Sequence, residues 1–535
     1  MGIKLSVWER SLVRSVAALI AVTAIVVTPT RAARTFDLSA ASIADINAAF
    51  DAGALTSERL TGLYLARIAA YDKAGPTLNS VLRLNPRALE DARALDTERR
   101  VSGKRTLLHG IPVLLKANID VAGWPATAGF YALRDSIATA DAEQAARLRR
   151  AGCVILGLTN MSEFASGPAI STLGGQIHNP YALDRSPAGS SGGNGAAIAA
   201  GFAVFALGTD TGGSIRGPAS ANGIAGLRPT FGLTGRGGII PLALSLDTVG
   251  PMAAHIADLS LVLNVMVGPD SRDSAVVTRP PVDYTAALDS ATLKGVRLGL
   301  ARDFMGTDKA WDAVLESAVA RLRAQGAEVV AIAFPRYLLA LLAGVYPAIR
   351  DTEFRYQIEE YLASLPRAGL PRTHADIIRS SEMIAASTQE GWVPNPARLE
   401  AYRREAATGT LQDQPYRSAA VEGRKIVRDL LEWTLKQQRL DALLGPTIRP
   451  ARLISEEAIP ESRGWRDLGS LAGWPEVVVP AGYTMEPMLP VGISFLGPAF
   501  SEARLLALGH AFERAYPMRR LPPTTPALQG ERFEY

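Results

Sequence analysis

Lys116, Ser190 and Ser214 have the types and spacing for nucleophilic chemistry that does without histidine. Lys116 ends the segment Gly110-Ile111-Pro112-Val113-Leu114-Leu115-Lys116. Ser190 follows it by 74 residues, and Ser214 follows Ser190 by 24. Both serines sit in glycine-rich loops, Ser186-Pro187-Ala188-Gly189-Ser190-Ser191-Gly192-Gly193 and Gly208-Thr209-Asp210-Thr211-Gly212-Gly213-Ser214-Ile215-Arg216. A serine hydroxyl becomes a nucleophile only beside a base. A lysine can be that base if burial lowers its pKa from about 10.4 until the amine is neutral. Two glycines before Ser214 let the backbone aim consecutive N–H groups at a developing oxyanion. Ser190 can pass a proton between Ser214 and Lys116.

Other readings of the same stretch fit less of it. A phosphate-binding loop needs a lysine after the glycines, and none follows. A dinucleotide fingerprint needs a strand directly upstream, where the turn-forming Asp184-Arg185-Ser186-Pro187 stands instead. Gly189-Ser190-Ser191-Gly192-Gly193 satisfies G-x-S-x-G around Ser191, but that motif requires a strand before it and a histidine far downstream. His255, His374 and His510 read as structural residues in helices or loops. On residues alone, a structural lysine at a strand end and a plain glycine-serine loop remain open beside the lysine-serine reading.

The elements that must hold these residues can be read from pattern. Ile111 to Leu115 and Val154 to Thr159 are short apolar runs of the kind buried on both faces of a sheet. The same signal returns at Gly295 to Leu300, Ala327 to Phe334, Leu440 to Leu444, Val477 to Pro480 and Val491 to Leu496. Helical patterns alternate with them. Thr56-Ser57-Glu58 caps a helix carrying Leu60, Leu63, Tyr64, Ile68 and Tyr71. Asn85-Pro86 opens another that stops at Ser102-Gly103, and Asp141 to Arg150 is a third, ending at Gly152. A small-residue helix separates the two glycine loops. The expected fold is α/β: one large mixed sheet surrounded by helices, with a helical insert from about 337 to 436 elaborating the same core. That insert carries Tyr337, Tyr346, Phe354, Tyr356, Tyr361 and Trp392. It is expected to shape a pocket, while most of these rings serve as core.

The 535 residues are 48% hydrophobic and 20% charged, an ordinary globular balance. With 56 basic and 52 acidic residues and no basic run interleaved with aromatics, nucleic acid is not an expected partner. Lys4, Arg10 and Arg14 precede an uncharged, mostly apolar run from Ser15 to Val27, and Pro29-Thr30-Arg31-Ala32 supplies a cleavage site. This reads as a secretory signal over 1–32, with the functional domain at 33–535, and it implies a secreted or periplasmic protein. The run falls short of the roughly 20 residues of a comfortable span. The alternative is an uncleaved anchor. Cys153 is the only cysteine, so no internal disulfide can form, and its apolar setting reads as an inert buried thiol.

The residues from Ser186 to Thr230 resemble the signature of the amidase signature family almost throughout. Further resemblances lie at Gly110-Ile111-Pro112 with Lys116, Asn160-Met161-Ser162-Glu163-Phe164, Asp247-Thr248-Val249-Gly250-Pro251-Met252, Leu444-Gly445-Pro446-Thr447, Ala472-Gly473-Trp474-Pro475, Val479-Pro480-Ala481-Gly482 and Leu489-Pro490-Val491-Gly492. The resemblance covers roughly residues 40 to 520. It implies a Ser–Ser–Lys triad. Ser214 is then the nucleophile that forms an acyl-enzyme, Ser190 the bridging serine after a cis peptide at Gly189, and Lys116 the base. Backbone N–H groups of Thr211, Gly212, Gly213 and Ser214 would hold the oxyanion. Ser191, Asp210 and Arg216 would orient the loop. The implied reaction is hydrolysis of amide C–N bonds with no cofactor and no metal.

Three positions depart from the family pattern: Ala117 where Asp is frequent, Ala188 in place of the first signature glycine, and Gly217 where a larger residue is frequent. Ala188 is expected to be a small perturbation, and Gly217 to widen the pocket. The expected substrate is a small amide or aryl acylamide. Alternatives are a peptide amidase acting on C-terminal carboxamides, a carbamate or ester hydrolase, and the amidase component of the complex that makes glutaminyl-tRNA, which export disfavours. A periplasmic solute-binding protein is the non-enzyme alternative. A homodimer is compatible with all of them.

Overall fold

The apolar runs ending at Lys116 and Thr159 form adjacent parallel strands at the heart of the molecule. The computed structural model describes residues 35–386, 391–457 and 464–534; the predicted signal lies outside them. One eleven-stranded sheet organises the fold. Its strands are β1 (Val81–Leu84), β2 (Pro112–Lys116), β3 (Val154–Thr159), β4 (Phe205–Asp210), β5 (Ala225–Arg228), β6 (Thr248–Ala253), β7 (Arg297–Ala301), β8 (Glu328–Ile332), β9 (Ala442–Pro446), β10 (Glu476–Tyr483) and β11 (Pro490–Leu496). They run in the spatial order β8-β7-β9-β11-β10-β5-β6-β4-β2-β3-β1. β4, β2 and β3 are mutually parallel, as are β8, β7 and β9, and antiparallel pairings join the two blocks. The sheet is therefore mixed, as expected, and helices surround it.

All seven expected strands are present. β1, β4, β5 and β6 were not anticipated. β4 (Phe-Ala-Leu-Gly-Thr-Asp) and β6 (Thr-Val-Gly-Pro-Met-Ala) carry glycine, proline and small polar residues that hide the strand signal. Every residue of both is buried, so the surrounding layers, not side-chain propensity, hold them extended.

The helix Ser57–Tyr71 is capped by the Thr56 side chain, which accepts from the Arg59 N–H. The helix placed after Asn85-Pro86 begins at Ala88 instead, because Asn85 folds a turn by accepting the Arg87 N–H. The third expected helix runs Glu143–Ala151 and ends with Gly152 in the left-handed region. Cys153 is buried, and burial pushes its thiol pKa up, as an inert structural thiol requires. Among the described residues, no helix is long and apolar enough to cross a membrane.

Within the region 337–436 the chain forms the helices Arg336–Ser364, His374–Ala385, Pro396–Ala406 and Arg424–Gln438. A buried polar network fastens this region to the core. The Tyr402 hydroxyl donates to Glu163 Oε1 at 2.8 Å, and Glu163 Oε2 accepts the Thr172 N–H at 2.8 Å. Arg398 pairs with Glu405 at 2.6 Å, and His374 lies 3.4 Å from the same carboxylate. His374 is thereby a structural residue. Tyr346, Phe354 and Tyr402 are buried, whereas Tyr337 is exposed.

Candidate active site

Parallel pairing of β2 with β4 brings Lys116 and Asp210 to the carboxyl ends of neighbouring strands, the edge where open α/β sheets place their ligands. The Lys116 side chain is wholly buried. Its Nζ lies 2.7 Å from Ser190 Oγ, 2.8 Å from Thr209 Oγ1 and 3.3 Å from the Thr209 carbonyl oxygen. Asn118 Nδ2 donates to Thr209 Oγ1 at 3.1 Å, fixing that hydroxyl. Desolvation lowers the Lys116 pKa from 10.5 to about 7, against the opposing pull of Asp210 and Asp247. Half the amines are then neutral near pH 7.

Ser190 follows a cis peptide bond at Gly189. Its carbonyl accepts the Ser162 N–H at 3.1 Å, so the Asn160–Phe164 segment holds this loop on one side and the helical insert, through Glu163, on the other. Ser191 joins the two serine loops: its N–H donates to the Ser214 carbonyl at 3.1 Å and its hydroxyl to the Thr209 carbonyl at 3.3 Å. Ala188 has φ +60, in the left-handed region. The alanine is therefore less innocuous than expected, since a Cβ there costs about 1–2 kcal/mol relative to a relaxed conformation.

Ser214 begins the turn into the short helix Arg216–Ala221. Its hydroxyl makes no hydrogen bond among the described residues and opens on a cleft of about 980 Å3, which Ser190 and Gly212 also line. Gly213 has φ +108, a conformation that only glycine adopts without strain, and a Cβ there would stand 2.5 Å from Arg466 Cδ.

Asp210 holds the loop. Its Oδ1 accepts the Gly213 N–H at 2.8 Å and its Oδ2 the Ile215 N–H at 2.9 Å. Arg216 meets the carboxylate through Nε at 3.0 Å and Nη2 at 2.9 Å, and Arg228 through Nη1 at 3.0 Å. Burial alone would raise the Asp210 pKa, but the two guanidinium groups hold it well below the usual carboxylate range. Arg216 also pairs with buried Glu476. These bonds correct one expectation: the Gly213 N–H is turned inward to Asp210, so it does not face the cleft as an oxyanion donor. Asp210→Asn leaves buried Arg228 without its carboxylate partner and Arg216 with Glu476 alone, and it is expected to destabilise the fold by about 3–5 kcal/mol, read by denaturant unfolding.

Sequence alone pointed to Lys116, Ser190, Ser191, Asp210, Arg216 and Ser214, and the fold brings all six to one sheet edge. Thr209, Arg228, Asp247 and Glu476 were missed. Thr209 is hidden inside the disguised strand β4, and Glu476 lies 260 residues from Arg216. Asp247 accepts the Thr211 hydroxyl and the Leu242 and Ala243 N–H groups at 3.0 Å, anchoring the loop from its other side. Gly217 has room for a Cβ, which would stand 3.7–3.8 Å from Arg466, Ile448 and Gly189, all three of them residues that line the cleft. Among the described residues no cluster of His, Cys, Asp and Glu is arranged to hold a metal, and no histidine lines the cleft. The insert contributes Tyr346, Pro347, Arg350 and Glu400 to its wall.

Comparison with known proteins agrees with this geometry. The family described as Amidase matches residues 59–506. Peptide amidase from Stenotrophomonas maltophilia superposes with a TM-score of 0.81 at 37% identity, covering 91% of this chain and 99% of that one. A glutamyl-tRNA(Gln) amidotransferase subunit of Methylobacillus flagellatus is 37% identical over 476 residues, 86% of this chain and 94% of its own. A bacterial aryl acylamidase shares the fold, with a TM-score of 0.76 at 22% identity over 91% of this chain and 98% of that one. With matches of this extent, the chain belongs to the amidase signature family and is an amide-hydrolysing enzyme.

Proposed function

We propose that the chain hydrolyses primary carboxamides with bulky acyl parts, of the C-terminal peptide amide kind, through an acyl-enzyme on Ser214. The observation that carries this reading is the buried amine of Lys116 at 2.7 Å from Ser190 Oγ, beside a cleft that Ser190 and Ser214 both line. A neutral amine has two N–H donors and one lone pair. The N–H groups are matched by the hydroxyl and carbonyl oxygens of Thr209, which leaves the lone pair for the Ser190 hydroxyl.

Acylation begins as Ser190 gives its proton to Lys116 and takes the proton of Ser214, whose oxygen bonds to the substrate carbonyl carbon. The resulting oxyanion is held by backbone N–H groups of Thr211, Gly212 and Ser214. The C–N bond breaks as the proton returns through Ser190 to the leaving nitrogen, releasing ammonia. Water then repeats the sequence on the ester and releases the acid. No cofactor enters.

The choice of acyl part rests on the size of the cleft, far larger than ammonia needs as a leaving group, and on the likeness to peptide amidase at 37% identity. The likeness to aryl acylamidase carries the fold only. Similarity to one component of an amidotransferase supports a different reading, in which activity depends on partner proteins. The discriminating test is ammonia release by the purified chain alone from amidated dipeptides, alongside anilides, carbamates and esters. Ammonia from the amidated dipeptides is expected. Silence on them, with turnover of anilides or esters, would contradict the choice of substrate.

The predicted signal assigns the enzyme to the exterior or periplasm. N-terminal sequencing of the exported protein is expected to begin near Ala33; an intact Met1 in a cytosolic fraction would refute it.

A further inference from the structure

A second cavity of about 390 Å3 adjoins the active-site cleft and shares Ile448, Arg449 and Arg466 with its wall. We infer that this side cavity is a subsite for an aromatic or branched apolar side chain on the acyl part of the substrate. The inference rests on the peptide-amide reading for its substrate, and measurements on anilides separate the two.

Continuity with the reacting centre supports it first. Arg466 stands between the two spaces, and it packs so closely on the nucleophile loop that a Cβ on Gly213 would meet its Cδ at 2.5 Å. Whatever fills the side cavity therefore lies one side chain away from the Ser214 loop. With ammonia as leaving group, everything else in the substrate belongs to the acyl part, so the occupant must too.

The chemistry of the wall points the same way. Phe304, Trp311, Leu339, Leu342 and Trp465 line the cavity; Trp311, Leu342 and Trp465 are buried behind it, and the open apolar surface is that of half-buried Phe304 and of Leu339, left 41% exposed. Ligand pockets of about 300–1,000 Å3 lined mainly by apolar and aromatic groups are what bury a ring or branched chain. Binding of that kind removes apolar surface from water.

The wall is also rigid. Trp465 lies flat on β9, where a Cβ on Gly445 would come within 2.5 Å of its ring. Its Nε1 donates to Glu476 Oε1 at 2.8 Å, and Phe304 packs edge-on at a centroid distance of 6.0 Å. Glu476 also pairs with Arg216, which pairs with Asp210. The cavity wall and the nucleophile loop are thus fixed by one buried ionic network, so a side chain seated against Phe304, which packs on buried Trp465, would be placed in register with the reacting carbonyl.

The deciding measurement is kcat/KM for N-acetyl dipeptide amides, Phe-Gly, Gly-Phe and Gly-Gly, and for p-nitroanilides of the same acyl groups. Native enzyme is expected to favour one Phe-containing acyl group over Gly-Gly by about tenfold or more. Ala343→Trp and Leu339→Trp, both at exposed helix positions lining the cavity, are expected to bring that ratio to within about threefold of unity. Because the ratio compares acyl groups in one protein, loss of active protein in either variant cancels. Absence of a Phe preference in the native enzyme, or a ratio unchanged in both variants, would overturn the subsite. If anilides are cleaved and carboxamides are not, the leaving-group reading fails, and the same ratio on the anilides still decides the subsite.

Discussion

Ser214→Ala is expected to lower kcat/KM for carboxamides by about 10^4-fold or more, and to abolish labelling by a fluorophosphonate probe. The size follows from the chemistry. Without the hydroxyl no ester can form, and what remains is catalysis by bound water near the loop. The fold should be untouched, because the Ser214 hydroxyl has no hydrogen bond among the described residues and faces the cleft. Circular dichroism and unfolding midpoint should match the native enzyme. Persistent probe labelling in the alanine variant would place the nucleophile elsewhere. A native protein that neither labels nor turns over any amide would be the behaviour of a solute-binding protein.

Lys116→Ala carries the second large effect, a loss of about 10^3-fold or more in the acylation rate. Ser190→Ala should fall in the same range, and the double variant should cost little more than either alone, since the two residues act as one relay. Additive losses would mean that they act separately. Stability supplies an independent sign. Burial holds the folded Lys116 pKa near 7, below the value of about 10.4 for an unfolded chain. Between those values the unfolded state binds the extra proton, so the Lys116 contribution to stability rises with pH across that window. In Lys116→Ala this rise should disappear from the unfolding midpoint measured from about pH 7 to 10.

Much of the site was legible because its residues are local. Ser190, Ser191, Asp210, Ser214 and Arg216 come from one stretch, and Lys116 ends a strand whose apolar run is unbroken. What escaped was non-local or disguised. Thr209 supports the lysine from β4, a strand whose glycine and polar end conceal it. Glu476 reaches Arg216 from the far end of the chain: the antiparallel register of β10 on β5 sets it opposite Arg228, and its carboxylate meets Arg216 on the neighbouring helix. The inward turn of the Gly213 N–H depends on where the Asp210 carboxylate sits, which no motif states. The side cavity is assembled from four separated segments, around Phe304, Leu342, Ile448 and Trp465, so no single stretch announces it. The bond from Tyr402 to Glu163, which ties the helix Pro396–Ala406 to the segment beside Ser190, spans 239 residues and has no local signal.

The central claim is that a neutral Lys116 draws the proton from the serine pair, and the pH dependence of single-turnover acylation tests it most directly. The account predicts a rate that rises tenfold per unit below one ionisation near pH 7 and levels above it, with that ionisation absent in Lys116→Ala. An acylation rate flat from about pH 5 to 9 in the native enzyme, or the same ionisation surviving in Lys116→Ala, would contradict it.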